Sequence, residues 1–166
     1  MTCYDEYPTR TVILNLIELL LALVLGFLLV AQLGWWWVLS YATAGCLGLL
    51  LSLAFGCTRC TYYGHLCGLG LGKIAPLAFR QRGPEKFGQT LSQTVAWTLV
   101  GLALAWPLAA GLVSLGRSLS VSTLAMLVVL LALMVGIVLA HSRSVCAHCR
   151  QAREGRCTLG RMVGLS

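Results

Sequence analysis

Four long apolar runs constrain this chain more than any motif in it. A helix rises about 1.5 Å per residue, so crossing a hydrocarbon layer about 30 Å thick takes about 20 apolar residues. The stretches from about Thr11 to Leu33, Trp35 to Gly56, Thr90 to Leu115 and Leu119 to Ala140 each reach that length. Strands of a membrane barrel would alternate apolar and polar residues over about 10 positions, and no such alternation is present. The expected fold is therefore all-α: one membrane domain over 1–166, with four transmembrane helices at about 11–33, 35–56, 90–115 and 119–140. Composition agrees, since 10% of residues are charged, where a soluble domain carries about 25%. The first run is expected to remain as a mature helix. Asp5 and Glu6 stand where a secretory signal carries basic residues, and no small-x-small cleavage site follows.

Charge sets the expected orientation. With the N-terminus inside, the interior segments hold Arg10, Arg59, Lys73, Arg80, Arg82, Lys86, Arg143, Arg150, Arg153, Arg156 and Arg161, and only Arg117 faces out. Basic residues in short loops hold those loops in the cytoplasm. The chain is thus expected in the plasma (inner) membrane, both termini cytoplasmic, with Cys-rich cytoplasmic segments at 57–88 and 141–166. The net charge of +7 is read as attraction to anionic lipid headgroups. Nucleic acid is not an expected partner, because the basic residues lie in short stretches beside apolar runs. Trp35, Trp36 and Trp37 are placed at the outer interface, and Tyr62 and Tyr63 at the inner one. Within the inner loop, the spacing of Ile74, Leu77 and Ala78 predicts an interfacial helix from Leu71 to Arg82. Pro76 falls in its first turn and Gly83-Pro84 ends it.

Each pair of long runs is followed by a similar cysteine block. The first is Cys57-x2-Cys60-x6-Cys67 and then Gly68-Leu69-Gly70; the second is Cys146-x2-Cys149-x7-Cys157 and then Thr158-Leu159-Gly160. Two helices per block make an even number of crossings, so the chain reads as two parallel two-helix repeats about an axis along the membrane normal. The plainer alternative is two cysteine clusters with no common origin, because the helices themselves show no similarity.

Cytoplasmic thiols stay reduced, so these cysteines are expected to bind metal rather than form disulfides. Two thiolates on one tight turn can both reach a tetrahedral ion. Three arrangements stay open. Cys57, Cys60, Cys146 and Cys149 can hold one zinc; all six cysteines can share two zinc ions; or three of them with a further ligand can hold an iron–sulfur cluster. His65, two residues before Cys67, is a candidate fourth ligand, although a plain surface histidine explains it as well. His148 lies between Cys146 and Cys149, where the turn should direct it away from a shared metal. Cys3 reads as a tail residue and Cys46 as a small packing residue. Gly64 and Gly68 are expected to let the loop close tightly.

The Cys-x2-Cys-x6-Cys spacing resembles the half-motifs of the binuclear zinc cluster in fungal transcription regulators, which implies ligand geometry only. The stretch Cys57-x2-Cys60-x-Tyr62-Tyr63-Gly64-x2-Cys67 resembles a loop in small uncharacterised prokaryotic multi-pass membrane proteins, a likeness that brings no activity with it.

Polar residues inside the first run are the remaining signal. Asn15 and Glu18 share a helix face, and Glu18 lies roughly 10 Å below the inner boundary. Gln93 and His141 are expected at a similar level. The set reads either as a proton or cation relay or as one interhelical hydrogen bond worth about 1 kcal/mol. Gly45 with Gly48, and Pro107 with Gly101 and Gly111, are expected to serve close packing and a kink. No Gly-x-Ser-x-Gly, His-Glu-x2-His or phosphate-loop pattern is present. The leading expectation is a non-catalytic membrane subunit or adaptor, its zinc-bound inner face docking a protein partner or a second copy. An iron–sulfur electron-transfer subunit and a small cation or metal transporter using Glu18 are the alternatives.

Overall fold

The computed structural model describes residues 3–83, 87 and 90–154. All regular structure among the described residues is helical. Four long helices, α1 (Thr9–Ala31), α2 (Trp35–Leu51), α4 (Leu91–Arg117) and α5 (Val121–Ser144), form a bundle, and two single turns, α3 (Leu71–Ile74) and α6 (Arg150–Arg153), lie at one end. Each long helix, α2 and α5 counted with the turns that extend them, is long and apolar enough to cross a membrane.

The helix limits follow from local chemistry. Gly34, at φ 108°, lets the chain reverse between α1 and α2 in a region that other residues enter at a cost. Ser118 and Ser120 are extended, which ends α4 and starts α5. At its far end α5 runs a turn past the expected Ala140. There Ser142 and Ser144 turn their hydroxyls back onto the carbonyls of Leu139 and Ala140, and the helix need not end to satisfy them. Past Leu51, α2 widens into a π-helical turn over Ser52–Gly56 and tightens into a 3-10 turn over Cys57–Arg59.

Helix α1 packs against α5, α4 and α2, and α2 packs against α4. Small residues set the closest approaches. A Cβ on Gly26 would lie 2.8 Å from Cγ of Pro107 and 2.9 Å from the Tyr41 hydroxyl, and one on Gly111 would lie 2.6 Å from Leu127. Gly48 packs on Val100, whereas Gly45 and Gly101 face open space and serve no packing. Helix α4 continues unbroken through Pro107. Ala22, Leu29, Leu127 and Leu130 form the core between α1 and α5, and Val30, Val38, Tyr41 and Ala110 form a second one. Outside these seams the bundle surface is apolar, with side chains such as Leu20, Val24, Val128 and Leu131 about half exposed or more.

The interfacial helix expected over Leu71–Arg82 is shorter. Helix α3 passes into a 3-10 turn at Ala75–Leu77 and stops. Beyond it, Phe79 gives its carbonyl to the Tyr63 hydroxyl at 2.6 Å and Arg82 donates its amide to the Thr58 carbonyl at 2.8 Å. Tertiary bonds to the first cysteine turn take the place of helical ones there.

Candidate functional site

The two Cys-x2-Cys pairs fold alike. Each begins a 3-10 turn where a long helix runs out, Cys57–Arg59 beyond α2 and Cys146–His148 beyond α5. In each, the amide of the second cysteine donates to the carbonyl of the first, at 3.1 Å for Cys60 and 3.2 Å for Cys149. Both second cysteines are then extended, with φ, ψ of −77°, 143° and −84°, 124°.

The third cysteine of the first block is brought back by glycines. Gly70 is left-handed at φ 72°, and a Cβ on Gly72 would collide with the carbonyls of Tyr62 and His65. This tight return lets the Gly72 amide donate to Cys67 Sγ at 3.2 Å. Gly68 is pressed against Val145 of the other block, where a Cβ would lie 2.5 Å away.

The two blocks meet. Cys67, Cys57 and Cys149 all stand close enough to Cys60 to act on its charge. Its Sγ donates to Gln151 Oε1 at 3.3 Å, and Gln151 Nε2 donates to the Arg59 carbonyl at 3.4 Å. Reciprocally, the Arg150 amide donates to the Tyr62 hydroxyl at 3.4 Å. Tyr62 and Gln151 each follow the second cysteine of a pair by two residues, and each crosses to the opposite block. Both are nearly fully buried.

The segment before α1 straps this plate. The Tyr4 amide donates to the His148 carbonyl at 3.2 Å, and the Tyr7 amide donates to the Leu66 carbonyl at 3.0 Å. The Tyr7 hydroxyl donates to the Val145 carbonyl at 2.7 Å, and the Tyr62 hydroxyl to the Tyr4 carbonyl at 2.9 Å. Tyr7, Val12, Tyr62 and Val145 form its core, with Cys60, Cys67 and Cys149 packed on it. Two exposed ion pairs, Glu6 with His65 at 2.8 Å and Asp5 with Arg150 at 3.1 Å, lie at its edge.

Burial pushes the Cys60 thiol up to about 12, against the Tyr62 amide, which lowers it; Cys67, Cys57 and Cys149 add to the rise. Burial likewise raises the Tyr62 phenol and raises that of Tyr7 further. Unliganded, Cys60 and Cys57, whose thiol burial likewise raises to about 12, are neutral at ordinary pH.

Among the described residues, no three or more Cys, His, Asp or Glu side chains stand where they could jointly hold a metal ion. Cys57, Cys67 and Cys149 each lie within electrostatic reach of Cys60, and Cys146, within reach of Tyr7, belongs to the same plate. Cys157 lies outside the described residues. The imidazole of His65 is exposed and held by Glu6. That of His148 stacks on Tyr4 with centroids 4.7 Å apart, and its buried Nδ1 has no partner. Cys3 lies half-buried near Tyr62, not in a bare tail, and Cys46 is exposed on α2 rather than packed.

The polar residues expected inside the membrane go separate ways. Asn15 Nδ2 donates to the Gly68 carbonyl at 2.9 Å, tying α1 to the plate. Glu18 faces α5, and its buried Oε2 has no hydrogen-bond partner. Gln93 is almost fully buried in α4, and His141 is half-buried on α5. Sequence reasoning missed Tyr4, Tyr7 and Gln151, and it placed Tyr62 at an interface where the fold buries it. The one available signal was the shared offset of Tyr62 and Gln151 from their cysteine pairs.

The fold and site thus define a helical bundle with four membrane-length helices and a cysteine-rich plate at one end. No protein-family model, curated protein or solved structure matches the chain.

Proposed function

We propose that this chain is a multi-pass inner-membrane protein whose cytoplasmic cysteine plate binds zinc and serves as a docking platform, making it a membrane subunit or adaptor. The observation that carries the reading is the meeting of two like-folded Cys-x2-Cys turns from opposite halves of the chain, with Cys60 beside Cys57, Cys67 and Cys149. Four thiolates from two such turns suit a closed tetrahedral zinc site. Their convergence also supports the parallel two-helix repeat, since an axis along the bundle would bring both turns to one level. The orientation rests on the charge split, with Arg59, Lys73, Arg80, Arg82, Arg143, Arg150 and Arg153 all at the plate end and the basic side kept in the cytoplasm.

Zinc would hold the two blocks together by replacing the thiol protons. Cys60 now donates to Gln151; on metallation it would lose that proton and keep the Tyr62 amide, a bond that favours the thiolate. The Gly72 amide on Cys67 is a similar donor, already in place. A rigid, basic inner face anchored by metal is suited to holding an acidic partner protein.

Metal analysis with an absorption spectrum, on full-length protein purified without oxygen, tests this. The expected result is colourless protein with stoichiometric zinc, and zinc-free protein after Cys57, Cys60, Cys146 and Cys149 are all changed to Ser. Brown protein containing iron would replace the reading with the electron-transfer one. Metal-free wild type, or zinc retained by the quadruple variant, would sink it.

A further inference from the structure

Away from the plate, Glu18 opens onto a groove of about 360 Å³ between α1 and α5, lined on α5 by Val128, Val129, Ala132, Leu133, Gly136 and Ile137. Every lining group except the carboxyl is apolar. The carboxyl oxygen Oε2 is buried and accepts no hydrogen bond. Asn15, one turn away and the nearest candidate donor on the same helix, is committed to Gly68. A carboxylate accepts and never donates, and one held in hydrocarbon is costly unless paired. The site therefore combines an apolar wall with one acidic group whose buried oxygen has no hydrogen-bond partner.

We propose that this groove binds a monovalent lipophilic cation entering sideways from the lipid layer, with its charge on the Glu18 carboxylate and its apolar body against Ala132 and Gly136. The inference goes beyond the metal plate and rests only on the membrane reading of α1 and α5. Charge complementarity selects the occupant. A neutral lipid chain leaves Oε2 unpaired. A second copy related by a two-fold would present this same patch; the exposed side chains around it, Leu14, Ile17, Leu21, Leu131 and Val135, are apolar and bring no donor. Gly136 leaves the groove open, for a Cβ there meets nothing within 4 Å.

The test uses the full chain in lipid nanodiscs, with tetraphenylphosphonium as the cation and tetraphenylborate as its shape-matched anion, each measured against empty nanodiscs. Glu18→Gln removes the charge. Gly136→Leu fills the groove into open space, and Gly101→Leu, on α4 and equally unobstructed, is the control. Saturable binding of the cation alone is expected in wild type and in Gly101→Leu. It should weaken by about thirtyfold or more in Glu18→Gln, as for loss of a buried charge partner, and vanish in Gly136→Leu. Equal affinity in Glu18→Gln, equal binding of the borate, or no saturable binding in wild type overturns the cation site. So does a wild-type dimer that Gly136→Leu dissociates, because a second copy then fills the groove. Protein that fails to co-elute with nanodiscs overturns the membrane reading and this site with it; protein that co-elutes and binds no cation overturns the site alone.

Discussion

The two halves of this molecule's architecture, the bundle and the plate, are held by different forces. In the bundle, cohesion comes from close approach: Gly26 on Pro107, Gly48 on Val100 and Gly111 on Leu127. A hydrogen bond from Thr123 to Gln32 at 3.1 Å links α5 to the end of α1. The plate has little regular structure and is stitched by bonds between residues far apart in sequence, such as Tyr7 to Val145, Tyr62 to Tyr4 and Cys60 to Gln151. The difference follows from solvent. On the proposed membrane reading, lipid gives apolar helices no reason to associate beyond packing, so small residues decide contact. The plate has a small core of its own, and polar groups taken from water there must find partners.

Alkaline pH should separate the two regions most strongly. The folded-state pKa of Cys60 is raised, from 9.0 to about 12, so its stabilising contribution is complete below about pH 9 and is lost as pH rises toward 12. The buried phenols of Tyr7 and Tyr62 shift in the same direction. Metal-free plate should therefore unfold on alkaline titration while the bundle stays helical. Near-UV circular dichroism can follow this, since Tyr4, Tyr7 and Tyr62 lie in the plate and all five tryptophans lie in α2 and α4. Cys60→Ser should shift the transition upward in pH; simultaneous loss of both signals would mean the two regions are one cooperative unit. Zinc affinity should rise with pH through the same range, because the metal competes with those protons.

Glycine substitutions come next in size, and they act locally. Gly72→Ala drives a methyl into two backbone carbonyls, an overpacking cost of about 1–3 kcal/mol or more. It should loosen the plate, raising hydrogen exchange in 60–77 and leaving exchange in α1 and α5 as in wild type. Gly101→Ala, which faces open space, should stabilise α4 by up to about 1 kcal/mol through helix propensity. Equal thermal stability of the two variants would erase the distinction between packed and open glycines.

The bundle was legible in the sequence and the plate was legible only in part, for related reasons. The long helices read directly because one property, apolarity sustained over about twenty residues, marks a helix of membrane-spanning length, and each limit came within a few residues of its expected place. The cysteine pairs read because spacing within a turn is local. What was hidden was long-range: Tyr7 and Gln151 carry no pattern that marks them as buried bridges, and their partners lie 138 and 91 residues away. The helix expected over Leu71–Arg82 was cut short at Leu77 by contacts to Tyr63 and Thr58, which periodicity does not encode. Asn15 and Glu18 share a face as expected, yet their neighbours split them between Gly68 and an apolar groove.

The smallest predicted effects sharpen the contrast within the plate itself. Tyr7→Phe removes one hydroxyl from a side chain that is 3% exposed and its bond to the Val145 carbonyl, which keeps the His148 amide at 3.1 Å. A buried hydrogen bond contributes about 0.5–1.5 kcal/mol, so plate melting should fall measurably. Asp5→Asn breaks an ion pair whose carboxylate side chain is 88% exposed, and such pairs contribute less than about 1 kcal/mol. Its melting curve should overlay wild type, and salt should not change that. Both residues belong to the same strap before α1 and both reach the second cysteine block, so sequence separation and contact order are matched between them. Burial is what differs. If Asp5→Asn proved the more damaging, the strap would be held by surface charge, and the stitching of the plate by buried phenols would have to be abandoned.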